Sequence, residues 1–227
     1  MATAVQSKTY VQETSAPSFF TRAAGCCAAA AKKTAECAKN LGLGFGMGLF
    51  MPFISGSVAA AARYTGLIPP VSMGTIGDTG KNITDLIGQA LEEKFPGQKF
   101  SAAEIQAVAA GYIVVVGPVL EEVAMRWLLQ DVILKPLFHL INPEERLFSA
   151  QTEKIARVAI ASTAFSAIHL ANAAALPWAY VASQLVATLV GGAMLGAIKE
   201  SSLGLSGSIG AHMGNNALGF AVLVAAS

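Results

Sequence analysis

Long apolar runs alternate with short polar joints along this chain. Residues 41–62 carry no charge over a length that meets the ~20 residues an α-helix needs to cross a hydrocarbon core. Three further runs of similar length, 158–176, 178–198 and 203–226, read the same way. Between 63 and 100 the chain is more polar. Residues 82–95 place Ile83, Leu86, Ile87, Ala90 and Leu91 on one face of a short amphipathic helix, with Asn82 as its cap and Pro96 and Gly97 ending it. Ser101 and Glu104 form a capping box, with Phe100 and Ile105 as the hydrophobic staple.

The helix that starts there runs to about Leu134, roughly 50 Å at 1.5 Å per residue, longer than a ~30 Å hydrocarbon core. It must project, tilt or break, and Gly117–Pro118 is the expected place for a kink. Asn142, Pro143 and Glu145 have the cap, first-turn proline and acidic residue of another helix start. The pattern predicts an all-α, polytopic transmembrane bundle of about five spans. An N-terminal tail and surface helix (1–40) precede the bundle (41–227), the first twenty residues being tail and 21–40 the helix.

Composition supports the same solvent. Hydrophobic residues make up 54% and charged residues 13%, against about 25% charged in soluble globular domains. The mean hydropathy is +0.55. A net charge of +1 leaves no nucleic-acid footprint. The partners implied are membrane lipids. Residues 1–20 lack the apolar core of a secretory signal. Cys26 and Cys27 are candidates for palmitoylation beside a membrane. Lys32, Lys33 and Lys39 place the N-terminus in the cytoplasm, and five spans then bring Lys135, Arg146, Lys154, Arg157 and Lys199 to the same side.

Against this background, ionisable residues inside apolar runs are functional candidates because they are costly to bury. They fall into three groups: Glu121, Glu122 and Arg126; His169; and His212 with Asn216, one turn apart. Counted from the proposed cytoplasmic ends at 1.5 Å per residue, Glu121 lies about 21 Å deep, His169 about 18 Å, His212 about 14 Å and Asn216 about 20 Å. Three helices therefore carry their polar groups to a similar level. Glu122 and Arg126, four apart, suit an internal ion pair. Glu121 faces another way and is the candidate base, since a carboxylate in low dielectric is a stronger base. His169 can hold or polarise water, and His212 and Asn216 can donate to a developing oxyanion. The set suits hydrolysis of an acyl or peptide bond. Glu121, His169 and His212 are equally donors that a divalent metal such as zinc would accept, although no HExxH helix is present. His139 reads as an interfacial histidine.

The motifs EEVAMR (Glu121 to Arg126), FSAIH (Phe165 to His169) and HMGNN (His212 to Asn216) resemble the EExxxR, FxxxH and HxxxN set of the CPBP intramembrane proteases. That family includes the CAAX prenyl endopeptidases and the Abi-type bacteriocin-processing or immunity proteins. The resemblance covers roughly residues 102–226. It implies an intramembrane endopeptidase in which Glu121 activates water with His169 assisting. His212 and Asn216 would form the oxyanion site or complete the polar cage, and Glu122, Arg126 and Phe165 would support the site, on a membrane-associated peptide or protein substrate that can be prenylated. It leaves open a metal-free mechanism or a metal-dependent one. Trp127 stands where members often have glycine, and its bulk is expected to reshape the substrate cleft. A non-catalytic immunity or scaffold protein of the same family is the alternative. A proton-coupled transporter is a third reading, without an inverted repeat to support it.

Overall fold

A computed structural model describes residues 19–226, with side chains from residue 28 onward except at 73. The tail at 1–18 and the side chains of Cys26 and Cys27 lie outside the described residues. The described chain is all helix and turn, in seven helices: α1 (Phe19–Gly48), α2 (Met51–Tyr64), α3 (Met73–Lys94), α4 (Ala102–Ile141), α5 (Ala150–Ile168), α6 (Trp178–Glu200) and α7 (Gly204–Ala226). Five stretches are long and apolar enough to span a membrane: 28–64, α4, α5 with the turn after it, α6 and α7.

The bundle from residue 37 onward is built for hydrocarbon outside and polar groups inside. Phe50, Phe53, Leu120, Trp127, Leu140 and Trp178 are more than half exposed, whereas Glu122, Arg126, Gln130, Thr79 and Ser208 are wholly buried. In water that distribution would be unstable; in a bilayer exposed apolar side chains meet lipid and polar groups find partners only inside.

Helix starts follow local chemistry. The 41–62 run, expected as one span, breaks at Leu49–Phe50, because Pro52 has no N–H and opens α2 in its first turn. Ser72, rather than Asn82, caps the amphipathic helix: its hydroxyl accepts from Thr75 N–H at 3.0 Å, so α3 begins nine residues earlier than expected. The capping box of Ser101 and Glu104 is present as expected. The helix expected at Asn142 is a single 3₁₀ turn, Pro143–Glu145, with Glu144 at φ 60°. The Asn142 side chain instead ties the loop, accepting from Leu147 N–H at 2.6 Å and donating to the Phe148 carbonyl at 2.6 Å. Ser149 then caps α5.

The long helix α4 changes winding where Gly117 and Pro118 lie. Residues Gly111–Val116 and Val123–Leu134 are π-helical, flanking an α-helical turn at Gly117–Glu122. The consequence is a straight interior row. Pro118, Glu122, Arg126, Gln130 and Leu134 are all buried at a strict spacing of four. At 3.6 residues per turn each step of four would drift by about 40°; wider i→i+5 turns drift the opposite way, so the mixture holds the row on one face.

Glycine sets the distance between α1 and α7. A Cβ on Gly44 would lie 2.0 Å from the Gly207 carbonyl oxygen, and one on Gly48 would lie 2.0 Å from that of Ala211. From the other side, a Cβ on Gly210 would lie 2.0 Å from the Leu41 carbonyl oxygen, and one on Gly214 2.2 Å from that of Phe45. Four glycines alternate along residues 42–48, giving two small-xxx-small pairs; Gly44 and Gly48 make the backbone contact, while Gly42 and Gly46 have nothing within 4 Å. Gly192 and Gly196 of α6 perform the same service for α5 beside Phe165, Ser162 and Val158.

Candidate active site

The interior row of α4 meets α7 at Glu122. This carboxylate is wholly buried and has three side-chain partners: Arg126 Nε at 3.2 Å, His212 Nδ1 at 3.1 Å and the hydroxyl of Ser208. The Glu122–Arg126 pair expected from the spacing is therefore present. Two buried charges are retained only when further hydrogen bonds offset their desolvation, and α7 supplies those bonds. Ser208 and His212 are one turn apart on α7 and reach the same carboxylate. Arg126 turns its guanidinium toward the face of Phe165, 5.7 Å from the ring centre.

His212 is the hinge of the site. Its Nδ1 engages Glu122 and its Nε2 lies 3.4 Å from Glu121 Oε2. Each ring nitrogen thus addresses one of the two adjacent carboxyl groups. The adjacent glutamates are sharply different: the Glu121 side chain is 33% exposed and the Glu122 side chain 0%. One carboxylate is sealed in the bundle and the next faces a cavity of about 770 Å³. Glu121, Phe165, His169, His212 and Asn216 all line that cavity.

His169 lies just beyond the end of α5. Its Nδ1–H donates to the Phe165 carbonyl at 2.7 Å, which leaves Nε2 as an acceptor in the neutral ring. The Phe165 ring contacts both imidazoles edge-to-face, with centroids 4.9 Å from His169 and 5.5 Å from His212. Phe165 is thus the packing piece that sets the two histidines relative to each other. His169 makes no direct hydrogen bond to Glu121 or His212 among the described residues.

Asn216 is placed by the proline of α4. In the π-helical segment Gly117 N–H bonds to the Tyr112 carbonyl. The Ile113 carbonyl would be served next by residue 118, but Pro118 has no N–H. Asn216 Nδ2 donates to that carbonyl at 3.0 Å, and Asn215 donates to Asn216 Oδ1 at 3.1 Å. The amide is held from both ends with one N–H left over.

No group of three His, Cys, Asp or Glu side chains among the described residues is placed to hold a metal ion. Glu121, His169 and His212 therefore do not form a ready ligand set. Trp127 is 51% exposed on the outer face of α4 and does not line the cavity, so it leaves the cleft unshaped. The winding that turns Arg126 inward turns its neighbour out. His139 is exposed near the end of α4.

Sequence reasoning passed over several residues of the site. Ser208 precedes His212 by four, the same spacing that links His212 to Asn216, and that regularity was its available signal. Asn172, Gln184 and Asn215 add polar groups to the cavity wall, with Asn172 donating to Gln184 at 2.9 Å. Met51, Pro52, Ser55, Ala59 and Arg63 of α2 form another wall. Further along the row from Arg126, Gln130 donates to Glu200 at 2.7 Å, and Arg157 pairs with Glu200 at 3.3 Å and Glu153 at 3.2 Å. Lys199 bonds to Asp131. This network ties α4, α5 and α6 together.

A helical bundle with a carboxylate–imidazole–carboxylate cluster inside it defines the class as a multi-pass membrane protein with a polar intramembrane site. Residues 103–218 match the family described as type II CAAX prenyl endopeptidase, Rce1-like. The match spans over half of the chain and includes every residue of the cluster, so this chain belongs to that family of intramembrane proteases. No curated protein and no solved structure matches it.

Proposed function

We propose that this protein is an intramembrane endopeptidase that hydrolyses a peptide bond of a membrane-associated substrate, with Glu121 as the base. The observation that carries this reading is the division of labour between adjacent glutamates. Glu122 is sealed among Arg126, Ser208 and His212, while Glu121 faces the cavity across His212. A buried, fully bonded carboxylate orients an imidazole; a partly exposed one next to it is free to meet water.

In the proposed reaction a water donates one hydrogen bond to His169 Nε2 and gives its proton to Glu121. Its oxygen attacks the carbonyl carbon of the scissile bond. The oxyanion formed accepts from His212 Nε2–H and from the remaining Asn216 N–H. When the tetrahedral intermediate collapses, the carbonyl re-forms, the C–N bond breaks and the departing nitrogen takes the proton from Glu121. The family description points to a prenylated peptide as the first substrate to try. The lysine and arginine distribution favours a cytoplasmic N-terminus.

The test is cleavage of a farnesylated CAAX-type peptide by the protein in liposomes. Glu121→Ala, His169→Ala and His212→Ala are each expected to abolish cleavage while the protein remains inserted and monodisperse. Full activity in Glu121→Ala overturns the mechanism. Partner protection in cells that survives all three substitutions indicates the non-catalytic immunity or scaffold role.

A further inference from the structure

A peptide cut inside this bundle must present an extended backbone to Glu121, and at membrane depth its N–H and C=O groups find no partner in hydrocarbon. No strand exists among the described residues to pair with it, so side chains of the cavity wall must serve. Several hydroxyls there are already engaged: Ser55, Ser183 and Thr188 each donate to a carbonyl one turn back on their own helix. The amides of Asn172 and Gln184 have capacity left. Asn172 Nδ2 donates to Gln184 Oε1 at 2.9 Å, and both residues line the cavity. That bond leaves the Asn172 Oδ1 acceptor and the Gln184 Nε2 donor without a partner among the described residues.

One acceptor beside one donor, both neutral, is the complement of a single extended residue, whose N–H and C=O point to the same side of the chain. Exchanging the roles of the two amides gives the same outward pattern. The mount is firm. Asn172 lies in the 3₁₀ turn His169–Ala174, and its carbonyl accepts from Ala175 N–H at 3.0 Å and from Leu176 N–H at 2.8 Å, just before Pro177 caps α6. Gln184 belongs to α6 itself. The place is beside His169. Residues i and i+3 of a 3₁₀ helix eclipse at a rise of about 2.0 Å per residue, so Asn172 stands on the His169 face about 6 Å further along the axis. An extended peptide advances about 3.3–3.6 Å per residue, which makes that offset about two residues.

We propose that Asn172 and Gln184 form a backbone-binding subsite that holds one extended residue of the substrate within about two residues of the cut bond. Asn172 Oδ1 accepts from its N–H and Gln184 Nε2 donates to its C=O. Such a subsite reads backbone and not side chain, so it fixes where the substrate lies and leaves its sequence free at that point. Its position relative to the cut bond rests on the proposed hydrolase, and its ligand chemistry on the amide pair alone.

The experiment measures binding and cleavage separately on the full-length protein in nanodiscs. The probes are dansylated, farnesylated peptides of one sequence: an all-amide peptide, and a set in which each backbone N–H in turn is replaced by an ester oxygen. Affinities are measured in the Glu121→Gln background, which holds substrate without turnover, and rates with Glu121 in place. One ester, within two residues of the cut bond, is expected to bind about fivefold more weakly than the amide, the effect of one lost hydrogen bond. Asn172→Leu is expected to bring the all-amide peptide down to that ester and leave the ester unchanged, in KM more than in kcat. Asn172→Asp keeps an acceptor and keeps the preference. Equal losses for the amide and every ester in Asn172→Leu, as a purely structural tie between the turn and α6 would give, overturn the subsite while leaving the hydrolase intact. So does a set of esters that all bind like the amide, a result that needs no variant of the pair. An ester preference that Asn172→Leu removes, without cleavage by the unaltered protein, keeps the subsite and overturns the hydrolase.

Discussion

Gly48→Ala tests whether the site depends on the close approach of α1 and α7. The added Cβ would stand 2.0 Å from the carbonyl oxygen of Ala211, where ordinary contact begins at 3.4 Å. The helices must separate locally by the difference, about 1.4 Å, because the obstacle is backbone and cannot rotate away. Ala211 precedes His212, whose bond to Glu122 is 3.1 Å. Half of that displacement, transmitted along α7, takes the bond beyond the ~3.2 Å limit for an N–H···O contact. Overpacking of this kind costs about 1–3 kcal/mol, and a misplacement of ~1 Å near reacting groups costs about 10²-fold in rate. Gly46→Ala is the matched control: nothing lies within 4 Å of its Cβ, and alanine is the better helix former by up to ~1 kcal/mol. Thermal unfolding in detergent and initial rates of peptide cleavage are measured for both. Gly48→Ala is expected to lower the melting temperature and the rate, and Gly46→Ala to change neither adversely. A Gly48→Ala protein as stable and as active as the parent refutes the coupling of this glycine contact to the site.

Two further substitutions separate structural from chemical roles. Glu122→Ala leaves the buried Arg126 uncompensated, at a cost of about 3–5 kcal/mol, whereas Glu122→Gln keeps the shape and loses only charge; the expected order of melting temperatures is parent, then Gln, then Ala, and a Glu122→Ala protein as stable as the parent contradicts the sealed-pair description. Asn216→Leu strips the Ile113 carbonyl of its donor, at about 1–3 kcal/mol for an unsatisfied buried group. Adding Pro118→Ala supplies a backbone N–H that can serve that carbonyl. The double variant is expected to regain stability without regaining cleavage; if cleavage returns as well, Asn216 acts only as a backbone cap.

Much of the bundle is legible in the chain because hydrocarbon imposes a length on each apolar run, and the spans from residue 102 onward follow from that alone. The four polar residues given chemical roles are legible for the same reason: Glu121, His169, His212 and Asn216 stand out where ionisable and amide groups are expensive. Local signals compete elsewhere. Asn142, Pro143 and Glu145 have the spelling of a helix start, but the asparagine amide bonds forward to Leu147 and Phe148 and Ser149 takes the cap. Ser72 wins over Asn82 because nothing between them stops a helix. The partner of a glycine stripe is not written in the stripe, so the meeting of Gly44 and Gly48 with Gly207 and Ala211 required three dimensions. His212 reaches Glu121 and Glu122 through a separate meeting, that of α7 with α4. The spacing of Glu122 and Arg126 predicts their pair but is silent about α7. Trp127 misled for a related reason: adjacency to Arg126 says nothing about which way a wider helical turn points it.

The most direct test of the central claim is single-turnover cleavage of a farnesylated peptide in ¹⁸O-labelled water by the parent protein and by Glu121→Gln, with peptide binding measured on both. The proposed mechanism predicts one ¹⁸O in the new carboxyl group with the parent, and a rate loss of at least about 10²-fold in Glu121→Gln, the lower range for removing a general base, with binding retained. Cleavage by Glu121→Gln at the parent rate would contradict it.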